Sequence, residues 1–234
     1  MTTEQKQEIR TFLLNKNLPI DIIMEVEDHF VSQINELQSE KDLPFDDAFN
    51  VAIISWYDDL RLFRDGSWST EKTSLLIKKS SRQKLFSILK KSAVIVAISY
   101  FLVVLCYFLI PFSVFRISLG VFVGLVMVFP LIIYIKEKKY FDLPKKYKNI
   151  RLSAHQNLVS VFFILPMSSG WFLRYVIEMN DNFLDSNQLK GIVFNSLLLF
   201  FFFFEAAIIV SQQKYLEMIK KITPYLEENF KISN

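Results

Sequence analysis

Four stretches of this 234-residue chain carry almost no charge for nearly 20 residues each: 92–110, 117–135, 158–176 and 191–210. At 1.5 Å per residue, a 19-residue helix spans about 28 Å, close to the thickness of the hydrocarbon layer of a bilayer. A water-exposed helix could not carry the run Phe200 to Phe204. The blocks therefore predict an all-α integral membrane protein, with a four-helix bundle at 92–213. Residues 1–91 carry charges throughout, which predicts a small cytoplasmic three-helix domain ahead of the bundle.

The basic residues orient the spans, because Lys and Arg resist translocation. Between the second and third blocks lie Lys136, Lys138, Lys139, Lys145, Lys146, Lys148 and Arg151. Between the third and fourth, Glu178, Asp181 and Asp185 oppose Lys190. The first loop is expected inside and the second outside, which puts both termini in the cytoplasm, as the cations at 78–91 and 214–221 agree. Residues 1–17 alternate charged and apolar types and predict no cleavable leader. The expected location is a cytoplasmic (inner) membrane.

The net charge of +3 is small and its cations flank the apolar blocks. They act as topology signals, so nucleic acid is not expected as a partner. A single cysteine, Cys106, excludes an internal disulfide and is expected as a buried small hydrophobe.

Some residues within the blocks invite a sharper reading. Gly120 and Gly124 have the four-residue spacing that lets helix backbones approach, and packing inside the bundle is expected there. Pro130 and Pro166 each remove a helical N–H and predict bends. Glu205 is the one carboxylate well inside a block, and His155, beside Gln156 and Asn157, stands at the start of the third. Together Glu205 and His155 form a candidate polar pair on the inner leaflet. The pair predicts either a proton-handling site or a carboxylate bonded to neighbouring helices or reaching towards Gln212, Gln213 and Lys214. Arg116, Arg174 and Trp171 are read as interface anchors.

In the front domain, Thr2 and Gln5 fit a capping box opening a helix to about Asn15, with Ile9, Phe12 and Leu13 on one face. Leu18 and Pro19 open a second helix, whose face is Ile22, Ile23, Val26, Phe30, Ile34 and Leu37. Pro44, Asp46 and Asp47 open a third, with Phe45, Ala48, Phe49, Ala52, Ile53 and Trp56 inward. So small a core leans on the membrane or on a partner. Glu25, Asp28 and His29 share a helix face but lack a second cluster, so they are read as a solvated face and not as metal ligands.

The run LPIDIIMEVEDHFVSQINELQSEKDLPFDDAFNVAI, residues 18–53, resembles the HAAS-type helical domains, also described as permease-prefix domains, found ahead of membrane helices in many bacterial proteins. The matching features are Leu18 and Pro19, the acidic stretch Glu25, Glu27 and Asp28 leading to His29 and Phe30, and the helix opening at Asp47 to Phe49. The resemblance covers roughly residues 5–57. Many members continue to a Leu-Gly-x-Pro-like ending where this chain has Ser55, Trp56, Tyr57 and Asp58, so it departs at the end of the third helix. The resemblance implies a cytoplasmic signalling or protein-interaction module, often associated with PadR-like regulators or transport systems.

The expected organisation is a HAAS-like domain at 1–66, a basic juxtamembrane linker or interfacial helix at 67–91, the bundle, and a cytoplasmic tail helix at 214–234. That tail is expected to stay helical up to Pro224 and to pack on the front domain. No phosphate loop, nucleophile elbow or zinc-ligand pair appears, so no enzyme, catalytic residue, metal or cofactor is expected. The expected function is a membrane-anchored regulatory or interaction component, with the lipid bilayer and a protein held through 1–66 as partners and homo-oligomerisation left open. The alternative is a small transporter, or an accessory subunit of a permease, using Glu205 and His155.

Overall fold

A computed structural model of the chain describes residues 1–16, 18–64, 72–147, 152, 174, 176 and 189–229, and among these the backbone is almost entirely helical. In chain order it has α1 (Thr3–Leu14), α2 (Ile20–Lys41), α3 (Phe45–Ser55), α4 (Tyr57–Leu60), β1 (Leu62–Arg64) and β2 (Lys72–Ser74). These precede α5 (Leu75–Leu109), α6 (Phe112–Lys136), α7 (Lys138–Phe141), α8 (Leu143–Lys146) and α9 (Leu189–Asn229). Two compact units result, Met1–Lys84 with Leu143–Gln156 and Lys221–Asn234, and Leu85–Asp142 with Asn157–Lys220.

In the first unit the local signals act where the sequence placed them. The Gln5 amide donates to Thr2 Oγ1 at 3.3 Å, and the Thr2 amide donates to Gln5 Oε1 at 2.8 Å, completing the capping box of α1. Pro19 and Pro44 stand as the N-caps of α2 and α3 in extended conformation. Asp46 and Asp47 place negative charge at the positive end of α3. The α2 helix stops at Asp42, whose φ of 52° is the left-handed conformation that Asp and Asn tolerate better than most side chains.

Ile9, Leu13, Ile20, Phe30, Ile34, Ala48 and Ala52 are wholly buried. Phe12, Phe30, Phe49 and Trp56 interlock around them, with ring centroids 5.6 to 6.4 Å apart. The helical class expected from the sequence is observed, with one addition: β1 and β2 pair antiparallel, Leu62 opposite Ser74 and Phe63 opposite Thr73. The third helix ends at Ser55 and the chain turns at Trp56 into α4.

Among the described residues, three helices, each lying mostly in the second unit, are long and apolar enough to cross a membrane: Leu75–Leu109, Phe112–Lys136 and Gly191–Glu228. Only 17%, 17% and 39% of their most apolar windows are buried within the protein. Phe101, Phe108, Ile117, Leu125, Ile135 and Phe200 lie outward, each more than 60% exposed. Apolar surface that extensive on long helices suits a lipid surrounding.

The protein core of this unit is a seam of Val96, Val103, Phe115, Leu119, Val123, Val176, Phe194, Leu198, Phe201, Phe202 and Ala206. The expected third span, 158–176, lies outside the described residues except for Arg174 and Val176, which are helical. Val176 belongs to the seam.

Three boundaries differ from expectation. The basic segment before the first block is helical from Leu75 and runs without a break into it. The α6 helix begins at Phe112, five residues before its apolar block, because Pro111 caps it. The α9 helix passes through Pro224 to Asn229 instead of ending there. A proline removes one N–H and strains one turn, whereas Ile222 and Leu226, 1% and 0% exposed, hold the turns on either side in a packed core.

Candidate functional site

Glu205 lies on the buried side of α9, next to the buried Ala206, and it is 2% exposed. Its Oε2 has no hydrogen-bond partner among the described residues, and the same holds for Gln212 Oε1 and Tyr215 Oη. Residues 205, 212 and 215 share one side of α9, since seven residues are close to two turns and ten close to three. Of Gln212, Gln213 and Lys214, towards which Glu205 is expected to reach, the first and last have hydrogen bonds elsewhere. Gln212 Nε2 donates to the Pro130 carbonyl at 3.3 Å, and Lys214 Nζ donates to Ser87 Oγ at 2.6 Å. A buried acceptor without a partner costs about 1 to 3 kcal/mol, so this row leaves a carboxyl oxygen open to a proton or a donor. His155, with Gln156 and Asn157, lies outside the described residues, as do Pro166 and Trp171.

The two glycines do not mark a close helix approach among the described residues. A Cβ at Gly120 or Gly124 would meet nothing within 4 Å. The buried stripe of α6 is Phe115, Leu119, Val123 and Pro130, and each glycine follows a stripe residue by one position, about 100° round the helix. Pro130 is buried within α6, which continues through it. Cys106 needs correction as well: it is exposed on α5, so in a membrane it would be lipid and not protein that shields it from water. Tyr100 Oη donates to Asn195 Oδ1 at 3.0 Å, a polar tie between α5 and α9.

In the first unit the sequence reading missed a buried ionic knot. Arg10 on α1 grips Glu27 on α2, Nε to both carboxylate oxygens at 3.2 Å and Nη2 to Oε1 at 2.8 Å. Tyr225 near the end of α9 donates its hydroxyl to Glu27 Oε2 at 3.1 Å, and the Arg10 guanidinium lies 4.8 Å from the Tyr225 ring centre. The bond to Glu27 holds Arg10 above its ordinary pKa against the opposing effect of burial. The chain end thus packs on the front helices. One signal was available: Glu27 occupies the inward spacing Ile23, Glu27, Phe30, Ile34, and a charge at a core position requires a partner.

The rest of this unit closes on itself except along one side. Lys84 pairs with Asp21 at 2.8 Å, and the Trp56 indole donates to Gln33 at 3.0 Å. Val51, Ile54 and Tyr57 point outward, 41%, 73% and 60% exposed. Glu25, Asp28 and His29 are exposed too, and no group of three His, Cys, Asp or Glu among the described residues could hold a metal ion. No family model, curated protein or solved structure matches the chain.

Proposed function

We propose that the chain is a membrane-anchored regulatory or protein-interaction component of a bacterial cytoplasmic membrane. It crosses the bilayer four times with both termini inside, and its front helical unit holds a protein partner. The observation that carries this reading is the outward apolar side of α3 and α4. Ile54 and Tyr57 stay in water although the unit has a closed core of its own. Exposed apolar groups beside charged ones mark contact surfaces. The resemblance of residues 18–53 to HAAS-type domains supports a signalling role and no catalysis.

The test is capture from native membranes by the detergent-solubilised full chain, set against the Ile54→Glu variant. A partner retained by the parent and lost by the variant is expected. Identical capture by both, or capture of nothing, refutes the reading.

Glu205 favours a second reading, a small transporter or an accessory subunit of a permease. A buried carboxyl oxygen without a partner among the described residues suits a proton-coupled step. Proton flux into vesicles that falls in Glu205→Gln would support it, and flux that is absent or unchanged would remove it.

A further inference from the structure

A cavity of about 390 Å³ opens within the first unit between α2 and the beginning of α5. That volume lies in the range of small-molecule sites. Its walls are two helical stripes at spacings of three and four residues. The α2 wall brings Glu25 and His29, with Trp56 beside them, and the α5 wall brings Lys79, Ser80, Gln83 and Lys84. Ile22, Val26 and Leu76 supply the apolar lining.

The two walls differ in sign. Glu25 offers a carboxylate next to two aromatic rings, His29 and Trp56, whose centroids are 6.0 Å apart. Trp56 is anchored through its indole N–H to Gln33, which fixes the ring without using its face. On the other wall Lys84 is steadied by Asp21 at 2.8 Å and keeps further N–H groups to donate. Neither Glu25 nor Lys79 has an ion-pair partner among the described residues, although both line the one cavity. Opposite charges held apart across a cavity leave a gap for a ligand that carries both. A lone anion would confront Glu25, and a lone cation would confront the lysines.

The neighbouring sequence says where such a ligand would come from. Lys84 is followed directly by Leu85 and Phe86, 48% and 69% exposed, and Leu89 is 38% exposed. Apolar surface of the kind that meets lipid thus begins one residue beyond the α5 wall. A phosphate suits compact lysine ammonium groups beside a serine hydroxyl, and an ammonium suits a carboxylate beside aromatic faces.

We propose that this cavity binds a zwitterionic phosphoethanolamine group, its ammonium against Glu25 and the aromatic rings and its phosphate against Lys79, Ser80 and Lys84. The group is supplied either as a lipid headgroup or as free glycerophosphoethanolamine.

The test uses the full chain with Trp68→Phe and Trp171→Phe, so that Trp56 alone reports. One arm titrates the protein in detergent with glycerophosphoethanolamine, with glycerol phosphate as the anionic control. The other places it in nanodiscs containing phosphatidylethanolamine or phosphatidylglycerol in a phosphatidylcholine background. A saturable change in Trp56 emission with the zwitterion, and not with the anion, is expected in at least one arm. A response in detergent identifies the soluble source, and a response confined to nanodiscs identifies the lipid. Glu25→Lys and Lys79→Glu should each weaken binding about tenfold or more, while combining them restores it in part, because opposite walls then again carry opposite charges. An equal response to the anion, no saturable response in either arm, or unchanged binding in both variants overturns the proposal. The comparison of lipids on the Trp68→Phe, Trp171→Phe background needs neither charge variant to fold.

Discussion

Removing the carboxylate of Glu27 should destabilise the front unit more than any other single loss of charge in it. The residue is 8% exposed and its side chain accepts from Arg10 at 2.8 and 3.2 Å and from Tyr225 at 3.1 Å. Breaking a fully buried ion pair from one side costs about 3 to 5 kcal/mol, whereas an exposed pair contributes at most about 1. The Arg10 and Glu27 side chains are 19% and 10% exposed, which places Glu27→Ala between those limits, at about 2 kcal/mol for the abandoned guanidinium. The orphaned Tyr225 hydroxyl adds about 1 kcal/mol. A total of about 3 kcal/mol is a shift of roughly 150-fold in the folding equilibrium.

Chaotrope unfolding of the detergent-solubilised protein, followed by near-UV circular dichroism, measures this. Asp28→Ala, at an exposed position on the same helix, is the control and should change stability by less than about 0.5 kcal/mol. Tyr225→Phe should cost about 1 kcal/mol in the parent and almost nothing in Glu27→Ala, because the hydroxyl has then already lost its acceptor. If Glu27→Ala costs no more than Asp28→Ala, or if the two losses simply add, the knot does not hold the chain end to the front helices.

Burial, followed by the nearby Glu27 carboxylate, pushes the Tyr225 phenol above its ordinary value of 10.0. Its folded-state pKa is raised, so its neutral form contributes fully below pH 10 and that contribution is lost as pH rises towards the folded value. The stability difference between the parent and Tyr225→Phe, measured by the same unfolding assay, should therefore shrink above pH 10; a difference that stays constant to higher pH would refute this. Cys106, outward on α5, should react at least about tenfold more slowly with a charged maleimide in intact vesicles than after solubilisation in denaturing detergent, because a charged reagent is excluded from hydrocarbon. Rapid labelling in vesicles would mean that this side of α5 faces water.

Much of the local structure was legible residue by residue. The Thr2 and Gln5 box, the prolines at 19 and 44 and the stripe from Ile22 to Ile34 depend on neighbours within a turn or two, and their chemistry reads the same before and after folding. Glu205 was legible as an inward carboxylate because it interrupts an uncharged block. Its surroundings were not: Gln212 and Lys214, two of the polar groups that follow it along the chain, bond to Pro130 and Ser87, which are 82 and 127 positions away from them. The glycine spacing does not say which side of α6 meets a neighbour; among the described residues the buried stripe runs through Leu119 and Val123, one position before each glycine.

The sequence by itself determined that lipid must cover much of this chain, and which segments are helical, because uncharged length and helical periodicity are properties of consecutive residues. Tertiary structure alone decided that Tyr225 would close on Glu27 and Arg10, that a cavity with charges of both signs would open between α2 and α5, and that α9 would run through Pro224. These features bring together side chains that lie as many as 198 positions apart, and their pairing depends on how packed surfaces fit, which no local pattern encodes.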